Sequence, residues 1–169
     1  IYTAQIYSSA LGGGMSSRLF QEIREKRGLC YSIFTQTGAY ADTGSTTIYA
    51  GTSAGQLGEL AEITIDEMKR AAEDMGPEEV ARARAQMKAG MLMGLESPST
   101  RAERLARLVQ IWDKVPPLSD TVARIDAVTT GDVREFAETM ATKAPAALAL
   151  YGPVSQAPSL SQLQERRSA

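Results

Sequence analysis

The sequence predicts an α+β domain in which several helices pack on one face of an antiparallel sheet. Three observations carry this. Two neighbouring stretches, 29–37 and 43–52, alternate with a period of two. The run from Ser53 to about Ala141 shifts to helical periodicity, broken by Gly-Pro, Ser-Pro and Pro-Pro. A last apolar stretch, Ala146 to Tyr151, reads as a distant strand.

Residues Tyr2 to Leu11 read as a short helix, which the three glycines Gly12, Gly13 and Gly14 end because they lose too much backbone entropy to continue it. A second helix opens at Ser16 or Ser17 and runs to Arg27, where Gly28 suits a left-handed C-terminal position. The strand that follows, Leu29 to Thr37, places Leu29, Tyr31, Ile33 and Thr35 on one face and Cys30, Ser32 and Phe34 on the other. Tyr40-Ala41-Asp42 reads as the hairpin connection to Thr43–Thr52.

Ser53 with Gln56 reads as a capping box. Behind it Leu57, Leu60, Thr64, Met68, Ala71 and Met75 fall on one stripe. Pro77 opens the next helix, which runs through Val80, Met87, Met91 and Leu95. Ser97-Pro98 repeats the device, with Thr100 and Glu103 as a second capping box, and opens a helix through Leu105, Leu108 and Trp112 that Pro116-Pro117 breaks. Short helices follow near 119–128 and 132–141, the second capped by Thr129 or Thr130. The domain spans 1–154, and 155–169 is a polar tail, either a loose helix or disordered.

Composition removes whole classes of chemistry. The chain has no His and one Cys, so it cannot supply a zinc ligand set, a Ser-His-Asp triad or a Cys-His pair. A net charge of −2 gives no positive field for nucleic acid or anionic lipid, and no apolar run is long enough to span a membrane. Cys30 reads as a small buried residue, the methionines 68, 75, 87 and 91 as core, and Arg101, Arg104 and Arg107 as a solvated face. The start at Ile1, inside an apolar pattern, reads as a piece of something longer whose first strands are missing, which would leave a bare sheet edge open to self-association.

One segment stands apart, GGGMSSRLFQEIREKRGLCYS. Its glycines are either a plain helix breaker or a loop closely approached by a ligand; no phosphate-loop spacing is present. Arg24 sits at the edge of the apolar face made by Leu19, Phe20 and Ile23. Its stem either covers core surface or holds a planar fork at a groove rim. Tyr31 is either a core tyrosine or a phenolic donor.

This segment resembles the C-terminal half of the pitrilysin or insulinase-like zinc metallopeptidases, the inverted zinc-motif family that includes the processing peptidases. Arg24 and Tyr31 stand in the register of that family's Arg and Tyr pair. The likeness continues through STTIYAGTS, MGPEEV, ESPSTRAERL and ALALYGPV, up to Val154. The resemblance implies that zinc, held by H-x-x-E-H in the other half, belongs to the full-length protein and not to this stretch. That half would be an N-terminal zinc-binding domain of the same chain or a partner subunit. It implies a peptide substrate, with Tyr31 as a catalytic donor to the developing oxyanion and Arg24, Gly12, Gly13 and Gly14 as substrate contacts. A non-catalytic partner subunit and a stand-alone peptide-binding module are the alternatives, and the absence of insertions favours a cytoplasmic location.

Overall fold

The computed structural model describes residues 1–40 and 42–168. Helix α1 (Tyr2–Gly12) is followed by a π-helical turn (Phe20–Glu25), strands β1 (Ser32–Ala39) and β2 (Gly44–Gly51), and a short 3₁₀ turn (Ala54–Gln56). Helices α2 (Leu57–Asp74), α3 (Pro77–Gly94), α4 (Pro98–Trp112), α5 (Leu118–Asp126), α6 (Thr130–Glu138) and α7 (Leu160–Ser168) complete the chain.

The strands form a two-stranded antiparallel hairpin, with Ser32 opposite Gly51, Phe34 opposite Tyr49 and Ala39 opposite Gly44. Its pleat separates the faces as the alternation requires: Ile33 and Thr35 are buried under α1, while Phe34 and Gln36 face solvent. The predicted α+β class is the one observed, with α1 the helix that packs on the inner face of the hairpin. Ala41, part of the expected connection, lies outside the described residues; Tyr40 donates its N–H to the Thr43 carbonyl at 2.9 Å across it.

Helix α1 is the centre of the core. Ile6, Tyr7 and Leu11 are fully buried where α1 meets β1, α3 and α6, and Leu19, Ile23, Met75, Val80, Ile125 and Val133 close around them. The Tyr7 ring meets Phe136 edge-on, 5.4 Å between centroids. Gly-Pro punctuation works as expected at α3, where Pro77 takes the first position and Glu79 Oε2 accepts the Gly76 N–H at 2.9 Å.

Four local expectations need correction. Ser53 and Gln56 form no capping box: Ser53 Oγ donates to Gln56 Oε1 at 2.8 Å, the Gln56 N–H donates to the Ser53 carbonyl at 3.1 Å, and a 3₁₀ turn intervenes before α2. At α4 the capping residue is Ser97, whose Oγ accepts the Thr100 N–H at 3.4 Å, so Thr100 is already inside the helix and forms no box with Glu103. That helix ends at Asp113, in the left-handed region at φ 53°, before the prolines. The expected strand 146–151 is not one: no other strand pairs with it among the described residues, and Leu148, Leu150 and Tyr151 are exposed. Apolar alternation states which side chains want burial, whereas a strand also needs a partner's amides.

The tail takes the helical form of its two readings. Helix α7 docks on α2, with Leu163 buried and Arg166 bidentate on Asp66 at 2.7 and 2.8 Å. By contrast α4 has no buried residue at all. Among the described residues, no helix is long and apolar enough to cross a membrane.

Candidate functional site

The segment from Gly12 to Tyr31 wraps one end of α1. Gly12 is the last residue of that helix, pressed on β1: a Cβ there would stand 2.2 Å from Thr35 Oγ1 and 2.9 Å from the Thr35 nitrogen. At Gly13 it would meet the Ser9 backbone at 2.5 Å, while at Gly14 it would meet nothing within 4 Å. Packing therefore requires glycine at 12 and 13, and only Gly14 leaves open space. The loop beyond is exposed but tied. Ser17 donates through N and Oγ to the Gly14 carbonyl at 3.0 and 2.6 Å, and Gln21 Nε2 donates to the Met15 carbonyl at 2.6 Å.

Arg18, which sequence reasoning passed over, locks this loop to the α2–α3 corner. Its Nε and NH2 donate to Glu79 Oε1 and Oε2 at 2.7 Å each, and its NH1 reaches Asp74 at 2.5 Å. Burial would raise the Glu79 carboxyl, but the bonds from Arg18 and the Gly76 N–H outweigh it and hold the group below the usual carboxylate range. The signal was half readable: Glu79 at the third position of a Pro-led helix is a cap, but nothing local announces a partner 61 residues earlier.

The expected helix after Ser17 tightens and then widens, becoming a π-helical turn over Phe20–Glu25, as the Lys26 N–H bonds the Gln21 carbonyl at 3.0 Å. Gly28, at φ 63°, turns the chain out of it. Ile23 points into the core, and Arg24 lies at its rim. The Arg24 guanidinium carbon stands 4.8 Å from the centroid of the Phe20 ring and 5.5 Å from that of Tyr31. Both aromatic rings thus flank one cation. Among the described residues no carboxylate lies within ion-pair distance of Arg24, whereas Glu22 on the same turn pairs with Lys26 and Arg27.

Tyr31 is not the core tyrosine that strand alternation suggested. It precedes β1, its backbone N–H donates to the Gly51 carbonyl at 3.1 Å, and its side chain is 84% exposed. Cys30 beside it is buried. Burial pushes its thiol up, and the Arg24 charge opposes this only in part, so it is a poor nucleophile. Tyr31 lines a groove of about 630 Å³ with Cys30, Ser32, Tyr49, Gly51 and Thr52. The structure therefore brings Arg24 and Tyr31 together and leaves Gly12 under the loop. The donor set does not fit zinc: the chain has no His, and among the described residues no three His, Cys, Asp or Glu side chains gather as metal ligands.

A family model described as the peptidase M16 inactive domain matches residues 1–87. A protein of Streptomyces coelicolor called an uncharacterized zinc protease is 38% identical over 150 residues, covering 88% of this chain and 32% of that protein. A Bacillus subtilis protein described in the same words is 35% identical over 162 residues, covering 94% and 39%. The chain thus spans about a third of the length of the curated relatives it matches. Among solved structures, a peptidase M16 inactive domain from Pseudomonas fluorescens superposes with a TM-score of 0.69 at 22% identity, over 80% of this chain and 32% of that one. A chain of complex III2 from Candida albicans gives a TM-score of 0.73 at 22% identity, over 82% and 35%. These two likenesses show the fold alone.

Proposed function

Because this chain belongs to the peptidase M16 family, as its inactive C-terminal domain, we propose that it forms the substrate-facing wall of a zinc-dependent endopeptidase whose metal is held elsewhere. The holder would be an N-terminal domain of the same polypeptide or a companion subunit. The single observation that carries this reading is the arrangement at the rim: one guanidinium stacked by two rings and free of carboxylates among the described residues, beside a tyrosine open to solvent.

Such a pair suits an extended peptide. A guanidinium presents several N–H donors in one plane, and with no acid to neutralise it those donors stay available for carbonyl oxygens. The Tyr31 hydroxyl donates to one more carbonyl and holds it where negative charge grows as the amide is attacked. Phe20 and Tyr31 both hold the Arg24 guanidinium within cation–π distance, so less side-chain freedom is lost when a peptide arrives. Gly13 and Gly14 belong to the exposed part of the loop and would pass close to the bound chain. Since this chain's own residues do not fit zinc, none of these roles is routed through it.

The test is Tyr31→Phe in the full-length peptidase. Removing one oxyanion donor lowers kcat by about 10²–10³ with zinc content and circular dichroism unchanged. Unaltered turnover removes Tyr31 from the reaction.

A further inference from the structure

The outer face of the hairpin carries a step in side-chain size. Phe34 and Tyr49, opposite each other, stack with centroids 5.0 Å apart and planes at 25°, and both rings stay about half exposed at 41% and 51%. The next pair on that face is Ser32 and Gly51, one hydroxymethyl and no side chain at all. Beyond it stands the exposed ring of Tyr31, tied to Gly51 through its backbone N–H. The Ser32–Gly51 pair thus lies between the Phe34–Tyr49 stack and the Tyr31 ring, and all but Phe34 of these residues line the 630 Å³ groove.

The notch is uncharged, with tyrosine rings set among hydroxyls. No Asp, Glu, Lys or Arg lines it. Two of its hydroxyls are already engaged: Thr52 Oγ1 donates to the Leu29 carbonyl at 2.5 Å and Ser53 Oγ to Gln56 Oε1 at 2.8 Å. An exposed stacked pair next to a gap gains most by accepting another flat ring or a bulky aliphatic group. Gly51 keeps the gap open: a Cβ there would stand 3.3 Å from Ser32 Oγ and 3.7 Å from the Tyr49 hydroxyl. Glycine is not needed for the backbone at this position, because its φ is not positive; the missing side chain is what matters.

We propose that the Ser32–Gly51 notch, walled by Tyr31 and by Tyr49 with Phe34 stacked on it, is a specificity site that accepts one aromatic or bulky apolar side chain of the peptide, with Gly51 setting its size limit. The inference rests on the peptide-binding reading of Arg24 and Tyr31. It assigns the side-chain selectivity to the hairpin, while the main chain is held by the pair.

The experiment walks a single Phe through an alanine-rich peptide and measures kcat/KM for each position with the full-length enzyme. The wild type favours Phe at one position over Ala. Gly51→Val, a β-branched residue that suits a strand and fills the notch, lowers that Phe-to-Ala ratio by about 10-fold or more, the scale of a blocked apolar pocket. Tyr49→Ala, which removes a wall without filling the gap, lowers the same ratio in a protein whose circular dichroism matches the wild type, and so covers the case in which Gly51→Val does not fold. No positional preference, or a ratio unchanged in both variants, overturns the proposal. Tyr31→Phe separates it from the reading beneath it, since that change slows every peptide alike: a selective Gly51→Val with an inert Tyr31→Phe keeps the notch and sinks the oxyanion role, and the reverse pattern does the opposite.

Discussion

Arg18 clasps Glu79 through two parallel hydrogen bonds of 2.7 Å, joining the loop that follows α1 to the first turn of α3. The clasp fixes where the π-helical turn begins, and with it the position of Arg24. Arg18 is 12% exposed and Glu79 24%, so the pair is largely shielded from water. Removing one partner strands the other.

Arg18→Ala therefore costs about 1–3 kcal/mol in urea unfolding at neutral pH. The pH dependence has a definite sign. Glu79 titrates lower in the folded chain than the ordinary 4.5, so its contribution is present above that pH and fades as acid is added through the folded value. Arg18→Ala should flatten this acid-side loss. An equally steep loss in the variant would assign it to other carboxylates, of which Asp66 and Glu22 are also held low.

The glycines make a sharper contrast than their equal appearance in the sequence suggests. Gly12→Ala pushes a methyl into Thr35, backbone nitrogen included, and is expected to destabilise by about 1–3 kcal/mol. Gly14→Ala meets open space and stays within about 0.5 kcal/mol of the wild type. Chemical denaturation of the two variants side by side measures both. Similar losses at 12 and 14 would mean the loop's shape, rather than the contact with Thr35, sets the requirement.

What could be read from the sequence was what is decided locally. Pro77, Pro98 and Thr129 begin helices because a missing N–H or a capping oxygen acts within one turn, and the alternation of Ile33 and Thr35 against Phe34 gave the inner sheet face correctly. The same alternation misplaced Tyr31 with Ile33, because it assumed that the strand begins at Leu29, three residues before its ladder does at Ser32. It also turned 146–151 into a strand, although pairing is a property of two segments. Arg24 and Tyr31 could be named from their motif. Their meeting across the Gly28 turn, and the part Phe20 plays in it, depends on a π-helical register that residue types do not announce.

Helix α4 supplies a prediction about the isolated chain. Val109, Ile111 and Trp112 are about half exposed, Leu105 and Val115 nearly so, and none of the helix is buried. An amphipathic helix with an open apolar side is a contact surface, and in a solution of this chain alone the available apolar partner is another copy. Self-association is expected to grow with concentration in light scattering, with a blue shift in the emission of Trp112, the sole tryptophan. Val109→Lys together with Trp112→Lys returns the mass to one chain. A wild type that stays at 18.1 kDa at every concentration contradicts this.

Phe20 offers the last test, because it acts on Arg24 without a hydrogen bond of its own. Its ring lies closer to the guanidinium than that of Tyr31, 4.8 against 5.5 Å, and it sits four residues before Arg24 on the same side of the turn. A cation held over a ring at a partly exposed site gains about 0.5–1 kcal/mol. Phe20→Leu keeps the apolar contact with the core and removes the ring, so kcat/KM of the full-length peptidase should fall by about 2–5-fold. The loss should appear in KM, since a loosened Arg24 weakens main-chain binding in ground and transition state alike. Phe20→Tyr restores a ring and should restore KM. Arg24→Lys tests the other partner: it keeps the charge but loses the planar fork, so an ammonium that fully replaces the guanidinium would mean that charge alone, not bidentate geometry, holds the peptide.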